Sequence, residues 1–232
     1  GYLDVDTRIS SESMTVARLA AGAELVAVDG AMAEEGGRAV GLIRPPGHHA
    51  TTSKAMGFCL FNNAAIAARY AQDKYGVERV LIIDWDVHHG NGTQEIFWTD
   101  PSVFYFSTHQ YPYYPGTGAR SETGGGKGEG FTLNVPLSAG TPARDHRQVF
   151  TAALQEIEQR FPPDLIIISA GFASRRGDPL GGLVLEDWDF SGMTKEVISL
   201  AEKHGSGRVV SLLEGGYKLN LLGGSVCGHL TA

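Results

Sequence analysis

Two runs of consecutive aliphatic residues restrict the fold of this chain more than any other feature. Residues 80–83 read Val-Leu-Ile-Ile, and residues 165–168 read Leu-Ile-Ile-Ile. Neither run alternates polar and apolar positions, so each run, as a strand, must be buried on both faces. Helical patterns such as residues 143–160 lie between the strand-like segments. The sequence therefore predicts an α/β fold, in which a single domain has a mostly parallel central sheet with helices on both faces.

The other elements are predicted from the same periodicities and from turn residues. Further strands are expected at residues 39–43, 103–106, 131–135 and 208–213. Further helices are expected at about residues 11–29, from a cap at Asn62 or Asn63 to Tyr75, and at about residues 186–204 and 218–230. Residues 109–130 are expected to form a long loop.

The organisation of the chain is predicted to be simple. No repeat or linker divides the 232 residues, so we expect one domain over residues 1–232. The first residue is Gly1 rather than Met, and residues 2–7 resemble a loop inside a domain. We therefore expect that an N-terminal segment is missing from this chain.

Composition argues against several classes of protein. The net charge is −7 and the basic residues are scattered, which argues against a nucleic-acid-binding surface. Cys59 and Cys227 are the only cysteines, which excludes a disulfide scaffold and favours a reducing, cytoplasmic location. No apolar run approaches the ~20 residues of a membrane span. Nucleic acid and membrane are therefore not expected as direct partners.

The stretch that says most about function follows the strand at residues 80–83. Residues 84–92 read Asp-Trp-Asp-Val-His-His-Gly-Asn-Gly. Asp86 and His88 are two positions apart, so on extended backbone they point the same way. A carboxylate and an imidazole that converge from one segment are a start for a zinc site. A catalytic zinc site would need a third protein ligand from elsewhere in the chain.

Polar side chains also follow the other predicted strands. Ligands of parallel sheets bind where the strands end at their carboxyl side. The residues at those ends are His48, His49, Asp84, Asp86, His88, Ser107, His109, Asp178, Glu214 and Tyr217. Five separate loops thus bring functional side chains to one edge of the sheet, which predicts a single site there. His109 is expected in a loop without a role, and His146 and His229 are expected at the surface.

Six motifs, in this order, resemble the histone deacetylase family, whose members have the arginase–deacetylase fold. The motifs are residues 44–50 (Arg-Pro-Pro-Gly-His-His-Ala), 57–63 (Gly-Phe-Cys-Leu-Phe-Asn-Asn), 84–92, 115–118 (Pro-Gly-Thr-Gly), 169–182 and 214–217 (Glu-Gly-Gly-Tyr). They span nearly the whole chain. Residues 61–63 and Asn91 resemble the class II and bacterial amidohydrolase branch more than class I.

The resemblance implies roles for five catalytic side chains. His48 and His49 match paired histidines that bind and deprotonate a zinc-bound water and later protonate the leaving amine, with His49 as the proton shuttle. Asp84 and Asn91 match the groups that orient these imidazoles. Tyr217 matches a tyrosine that donates to the tetrahedral oxyanion.

The resemblance also implies a zinc ion, and here the sequence departs from the family pattern. Asp86 and His88 match two zinc ligands. The third should be an Asp directly after Gly171 and Phe172, but that position is Ala173. A methyl group cannot bind zinc, so we expect much weaker zinc affinity and severely reduced activity in this chain.

Structural potassium ions and a substrate tunnel are implied in the same way. A first potassium site, largely of backbone carbonyls, matches Asp84, Asp86, His88, Ser107 and Thr108. A second potassium site matches Phe97, Asp100, Val103 and Phe131. Phe58 and Tyr114 match the aromatic walls of the tunnel that holds the acyl-lysine stem. Gly57 and Leu180 complete the expected substrate-binding set.

The resulting hypothesis is a zinc-dependent deacetylase. It would act on an acetylated lysine of a protein or peptide, or on a small acylated amine, and release the free amine and acetate. Two alternatives remain. One is a non-catalytic module that binds acyl-lysine, and the other is a polyamine deacetylase. The second ranks lower because Leu180 stands where polyamine-selective members carry an acidic residue.

Overall fold

Six parallel strands form the centre of the computed structural model, which describes all 232 residues. The strands are β1 (Arg38–Gly41), β2 (Val80–Asp84), β3 (Val103–Gln110), β4 (Thr132–Leu137), β5 (Leu165–Ala170) and β6 (Val209–Leu213). Their order in the sheet is β1-β6-β5-β2-β3-β4, and every neighbouring pair is parallel. β2 and β5, which contain the two aliphatic runs, therefore lie side by side in the middle.

Helices cover both faces of this sheet, as the sequence predicted. They are α1 (Ser13–Met32), α2 (Asn63–Tyr75), α3 (Asn91–Phe97), α4 (Ala143–Arg160), α5 (Asp187–His204) and α6 (Leu219–Leu230), with a 3-10 turn at Gly126–Gly128. None of these helices is both long enough and apolar enough to cross a membrane.

Two separate hydrophobic clusters explain the unbroken aliphatic runs. Leu81 and Ile83 of β2 belong to the cluster under α4 and α5. Val80 and Ile82 belong to the cluster under α1 and α2. Successive side chains of a strand point to opposite faces, so a strand between two helical layers needs an apolar residue at every position. All five residues of β2, including Asp84, are buried.

Two elements differ from the sequence-based expectation. The short helix α3 was not predicted. It begins at the end of the motif at residues 84–92, and its seven residues show no apolar periodicity of their own. β3 is longer than predicted, since it pairs with β4 as far as Gln110 opposite Leu137. Ser107 and His109 therefore lie on the strand and are completely buried, so the expectation that His109 lies in a loop was wrong.

The expectation that His146 and His229 lie at the surface was also wrong. His146 is buried, with its Nε2 3.0 Å from the hydroxyl of Thr108. His229 is buried between the hydroxyls of Ser211 and Thr194, at 2.7 Å and 2.6 Å. A hydroxyl can donate to or accept from an imidazole, so these partners remove most of the cost of burying the ring. Such distant partners are not visible in local sequence.

One buried carboxyl group has no hydrogen-bond partner. Glu24 of α1 is completely buried, and neither of its carboxyl oxygens is bonded. The carboxyl group lies directly on Gly41 of β1, where an added methyl group would overlap it. Burial, with a smaller contribution from the charge of Glu214, raises the pKa of Glu24 from 4.5 to about 8.

The free energy of unfolding should therefore fall as the pH rises through this range. Between pH 4.5 and 8 the folded chain holds a proton on Glu24 that the unfolded chain has lost, so a rising pH favours unfolding. Glu24→Gln keeps the shape but cannot ionise. We expect the drop in Tm between pH 5.5 and pH 8.5 to be about 5 °C smaller in Glu24→Gln than in the unsubstituted chain. Thermal unfolding followed by circular dichroism would measure this, with the exposed Glu35→Gln as control. An unchanged pH dependence in Glu24→Gln would contradict the assignment.

Candidate active site

A cavity of about 280 Å³ opens at the carboxyl ends of the strands. Its walls contain most of the predicted catalytic, zinc-binding and substrate-binding residues, namely His48, His49, Gly57, Phe58, Asp86, His88, Tyr114, Leu180 and Tyr217. Asp6, Pro46, Tyr113 and Gly215 complete the lining. Asp84 and Asn91 lie one layer behind, where they contact the two histidines.

The imidazole of His48 is paired with the carboxylate of Asp84. Nδ1 of His48 lies 2.9 Å from Oδ2 of Asp84, and the hydroxyl of Tyr105 donates to the same oxygen at 3.1 Å. Burial alone would lower the pKa of His48, but the nearby carboxylates of Asp84 and Glu214 outweigh burial and raise it to about 10. Asp84 therefore favours the protonated form of His48.

The pKa of the neighbouring imidazole, His49, is shifted in the opposite direction. The two rings lie 4.0 Å apart between centroids, and Nδ1 of His49 bonds to Oδ1 of Asn91 at 2.8 Å. Burial and the positive charge of His48 hold the pKa of His49 well below 6.5. Because Nδ1 donates to the amide oxygen of Asn91, Nε2 carries the free lone pair. His49 is thus a neutral ring that can accept a proton.

Tyr217 supplies a hydroxyl group to the cavity. The carboxylate of Asp178 fixes its loop, accepting from the backbone N–H groups of Tyr217 at 2.7 Å and of Lys218 at 3.0 Å. Burial, reinforced by the carboxylate of Asp86, raises the pKa of Tyr217, so the phenol keeps its proton. It can therefore donate a hydrogen bond to a developing negative charge.

Asp86 and His88 lie side by side on the cavity floor. Oδ1 of Asp86 accepts from the backbone N–H of His88 at 2.9 Å and lies 3.2 Å from its Nδ1. Oδ2 accepts from the backbone N–H of Gly215 at 3.0 Å. Burial would raise the pKa of Asp86, but the bond from His88 and the charge of His48 outweigh it and lower the pKa. Asp86 is therefore a carboxylate, and its two oxygens are satisfied by protein donors.

The side chains at this floor do not make a complete zinc site. Ala173 is completely buried and packs in the hydrophobic cluster under α4 and α5. No three His, Cys, Asp or Glu side chains anywhere in the chain are grouped to hold a metal ion. A catalytic zinc normally has three protein ligands. Two ligands and a methyl group therefore do not fit the ion that the family resemblance implies.

The residues predicted to hold potassium lie in two groups, both close to β3. Asp84 and Ser107 are direct neighbours in the pairing of β2 with β3, and Thr108 follows Ser107. Phe97 ends α3 and Val103 begins β3, with Asp100 in the turn between them and Phe131 just before β4. Potassium binding by these groups stays a prediction.

Three residues around the site were not singled out by the sequence analysis. The ring of Tyr113 stacks on that of His88, with centroids 5.4 Å apart and planes at 11°. Oδ1 of Asp6 accepts from the backbone N–H of Gly57 at 3.2 Å, which brings this carboxylate to the cavity mouth. Tyr105 lies within an apolar strand, so its hydrogen bond to Asp84 could not be predicted from the sequence. Tyr113 could have been found, because it directly precedes Tyr114 in an aromatic loop.

Comparisons with known proteins agree with this fold. The family described as "Histone deacetylase domain" matches residues 2–232. A probable deacetylase of Archaeoglobus fulgidus is 43% identical over 219 residues, which cover 94% of this chain and 61% of that protein. The polyamine deacetylase HDAC10 of Danio rerio is 45% identical over 217 residues, which cover 91% of this chain and 32% of that protein. The crystal structure of the HDA15 HD domain superposes with a TM-score of 0.94 at 43% identity, covering 100% of this chain and 66% of that one.

A parallel sheet with this cavity at its carboxyl edge is the architecture of the arginase–deacetylase fold. The chain belongs to the histone deacetylase family. It spans 61% of the length of the Archaeoglobus fulgidus relative and less of the Danio rerio relative.

Gly171 should be required for the position of Asp86. A methyl group at Gly171 would overlap Oδ2 and the side-chain carbons of Asp86, whose carboxylate cannot move without losing its bond to Gly215. We expect Gly171→Ala to destabilise the chain by about 1–3 kcal/mol. Gly22→Ala is the matched control, because nothing lies within 4 Å of the added methyl in α1. It should stabilise the chain by about 0.5–1 kcal/mol. Urea unfolding measures both, and equal effects of the two substitutions would contradict this packing.

Proposed function

We propose that this scaffold hydrolyses the amide of an acetyl-lysine, or of a similar acylated amine, to the free amine and acetate. The observation that carries the proposal is that two adjacent histidines, each bonded at Nδ1 to its own polar partner, line one cavity together with the phenol of Tyr217. The carboxylate of Asp84 favours the protonated form of His48, burial lowers the pKa of His49, and burial raises the pKa of Tyr217. Amide hydrolysis needs a base, an acid and a group that stabilises the oxyanion.

The roles of these side chains follow from their positions. Phe58 and Tyr114 flank the cavity and would hold the alkyl stem of the substrate, with its amide at the floor. His49 would take a proton from the attacking water and return it to the amine nitrogen as the C–N bond breaks. Tyr217 would donate to the carbonyl oxygen as its negative charge develops. His48 would stabilise the same charge as a fixed cation.

The chain as it stands is proposed to be a poor catalyst. Activation of water in this family is assigned to zinc, and the donor set around Asp86 and His88 lacks the third ligand at Ala173. His49 alone has no metal-bound water to deprotonate. We therefore propose weak zinc binding and low turnover. The two potassium ions and a cytoplasmic location remain proposals of the same kind.

Ala173→Asp should restore both zinc binding and hydrolysis. The new carboxylate would complete a set of two aspartates and one histidine, which suits a catalytic zinc. We expect about one zinc per chain by mass spectrometry of the purified protein, and at least a 100-fold rise in release of acetate from an acetyl-lysine peptide. Ala173→Asn has nearly the same shape without the charge and should gain much less of either.

Two results would count against the assignment. If Ala173→Asp gains neither zinc nor turnover, residue 173 is not the third ligand. If Ala173→Asp gains zinc but stays inactive, the roles proposed for His49 and Tyr217 are wrong.

A second candidate function is binding without hydrolysis. The mutual bonding of Asp86 and His88 favours it, because both oxygens of Asp86 and Nδ1 of His88 have protein partners. A module of this kind would bind an acetylated peptide in the cavity and release it unchanged at saturating zinc.

A polyamine substrate is less well supported. Leu180 lines the cavity mouth and offers no carboxylate to a distant ammonium group. The Danio rerio relative is nevertheless described as a polyamine deacetylase, so both substrate classes should be compared. Rates of Ala173→Asp with an acetyl-lysine peptide and with acetylspermidine would separate the two substrate classes.

A further inference from the structure

We infer that Tyr105 is a positioning residue that aligns the imidazoles of His48 and His49 with each other. Its hydroxyl group is hydrogen-bonded both to the side chain that holds His48 and to the backbone that leads to the partner of His49. Tyr105 does not line the cavity, so it acts only through these neighbours. Its role in catalysis rests on the proposed hydrolase function, whereas the positioning itself can be measured without turnover.

The hydroxyl of Tyr105 is held in a fixed place. The residue lies on β3 directly opposite Ile82 of β2 and is completely buried in the hydrophobic cluster under α1 and α2. Its backbone N–H donates to the carbonyl of Phe131 at 2.9 Å. A side chain on a buried strand that is paired on both sides has little freedom to move, so its polar end can hold its neighbours precisely.

The first of the two hydrogen bonds supports His48. The O–H of Tyr105 donates to Oδ2 of Asp84 at 3.1 Å, and the same oxygen lies 2.9 Å from Nδ1 of His48. The other oxygen of Asp84, Oδ1, accepts from the backbone N–H of Asp86 at 3.1 Å. The carboxylate of Asp84 is therefore held at both oxygens, which fixes the direction from which it meets the imidazole of His48.

The second hydrogen bond supports His49 through the backbone. The hydroxyl oxygen of Tyr105 accepts from the backbone N–H of Gly90 at 3.0 Å. Gly90 directly precedes α3, whose first residue is Asn91. Oδ1 of Asn91 lies 2.8 Å from Nδ1 of His49. A shift of Gly90 would therefore also move the side chain that orients the ring of His49.

The space around this hydroxyl is filled. A methyl group added at Gly90 would lie close to three polar atoms, namely Oδ2 of Asp84 at 2.3 Å, the hydroxyl of Tyr105 at 2.6 Å and Nδ1 of His48 at 3.2 Å. Gly90 has a φ of −78°, outside the region that favours glycine, so space rather than backbone conformation requires a glycine here. The three polar groups thus meet next to the backbone that leads to Asn91.

Other contacts hold the backbone of this junction. The carbonyl of His48 accepts from the N–H groups of Gly92 at 3.0 Å and of Thr93 at 3.2 Å. Loss of the Tyr105 hydroxyl should therefore leave the loop folded and loosen only the side chains that depend on it.

Tyr105→Phe keeps the buried ring and removes both hydrogen bonds. In chains labelled with 15N-histidine, NMR would follow the proton between Nδ1 of His48 and Asp84 and the proton between Nδ1 of His49 and Asn91. Because a hydrogen bond that holds a buried site closed slows the exchange of such protons with water, we expect both to exchange about three- to tenfold faster in Tyr105→Phe.

The same spectra contain internal controls. His146 and His229 are buried histidines with hydroxyl partners elsewhere in the fold, and their ring protons should be unchanged. Tyr70→Phe is the matched control variant, because it also removes a hydroxyl that donates to a carboxylate, that of Asp29, at 2.9 Å. It should leave the two site imidazoles as they are.

Three results would overturn the inference. Unchanged exchange at both site imidazoles would show that Tyr105 only fills space. Faster exchange at His48 alone would show that Gly90 does not transmit the effect to His49. An equal increase at His146 and His229 would show general loosening of the fold.

A measurement on the unsubstituted chain decides the question if Tyr105→Phe fails to fold, as judged by its melting curve. The hydroxyl proton of Tyr105 and the proton at Nδ1 of His48 are directed at the same oxygen of Asp84. They should therefore show a nuclear Overhauser effect, and its absence would reject the inference.

The role in catalysis is tested in Ala173→Asp with zinc. Adding Tyr105→Phe should lower kcat about three- to tenfold and leave KM within about twofold, because the cavity walls stay in place while the histidines are less well aligned. If Ala173→Asp is inactive, the hydrolase proposal fails and the exchange measurements still decide the positioning. If Ala173→Asp is active and Tyr105→Phe leaves kcat unchanged, the hydrolase proposal stands and this role of Tyr105 is rejected.

Discussion

The pairing of His48 with Asp84 is the interaction on which the rest of the site depends. Asp84 is the last residue of the central strand β2, and its carboxylate is held by Tyr105 from β3 as well as by His48. Glu214, which follows β6, accepts from the backbone N–H groups of Gly47 and His48 at 2.7 Å and 3.2 Å. The loop after β1 is thus fixed to β2 and β6 through buried carboxylates. Burial, with a smaller contribution from His48, lowers the pKa of the neighbouring imidazole of His49.

The fold could be predicted from the sequence because its main constraint is local. Unbroken aliphatic runs require a strand buried on both faces, and the Asn62 side chain that begins α2, accepting from the N–H of Ala65 at 2.9 Å, is visible as a motif. The helix α3 was missed because its seven residues show no apolar periodicity, and the buried His229 was missed because its hydroxyl partners lie on distant segments. The cavity residues that belong to motifs could be predicted because each motif is a recognisable pattern, whereas Asp6 belongs to none. A single carboxylate in a loop has no pattern, and only the folded chain brings it to the mouth.

Ala173 changes the electrostatics of the site more than its shape. The surrounding loop keeps its hydrogen bonds, including those from Tyr217 and Lys218 to Asp178, so the cavity and its aromatic walls persist. Relative to a complete zinc site, the chain lacks a third ligand beside Asp86 and His88. Zinc binding and hydrolysis are therefore expected to depend on whether residue 173 carries a carboxylate.

The backbone next to Asn91 has a consequence for the lifetime of the protein. An asparagine followed by glycine is the pair most prone to cyclise and lose ammonia, because the glycine nitrogen reaches the side-chain amide easily, and asparagine is among the heat-sensitive residues. In the folded chain the N–H of Gly92 donates to the carbonyl of His48 at 3.0 Å within the first turn of α3, so that nitrogen is engaged. Molecules that spend time unfolded lose this protection and acquire an acid beside His49. Deamidation at this one position would therefore record how long each molecule had been denatured.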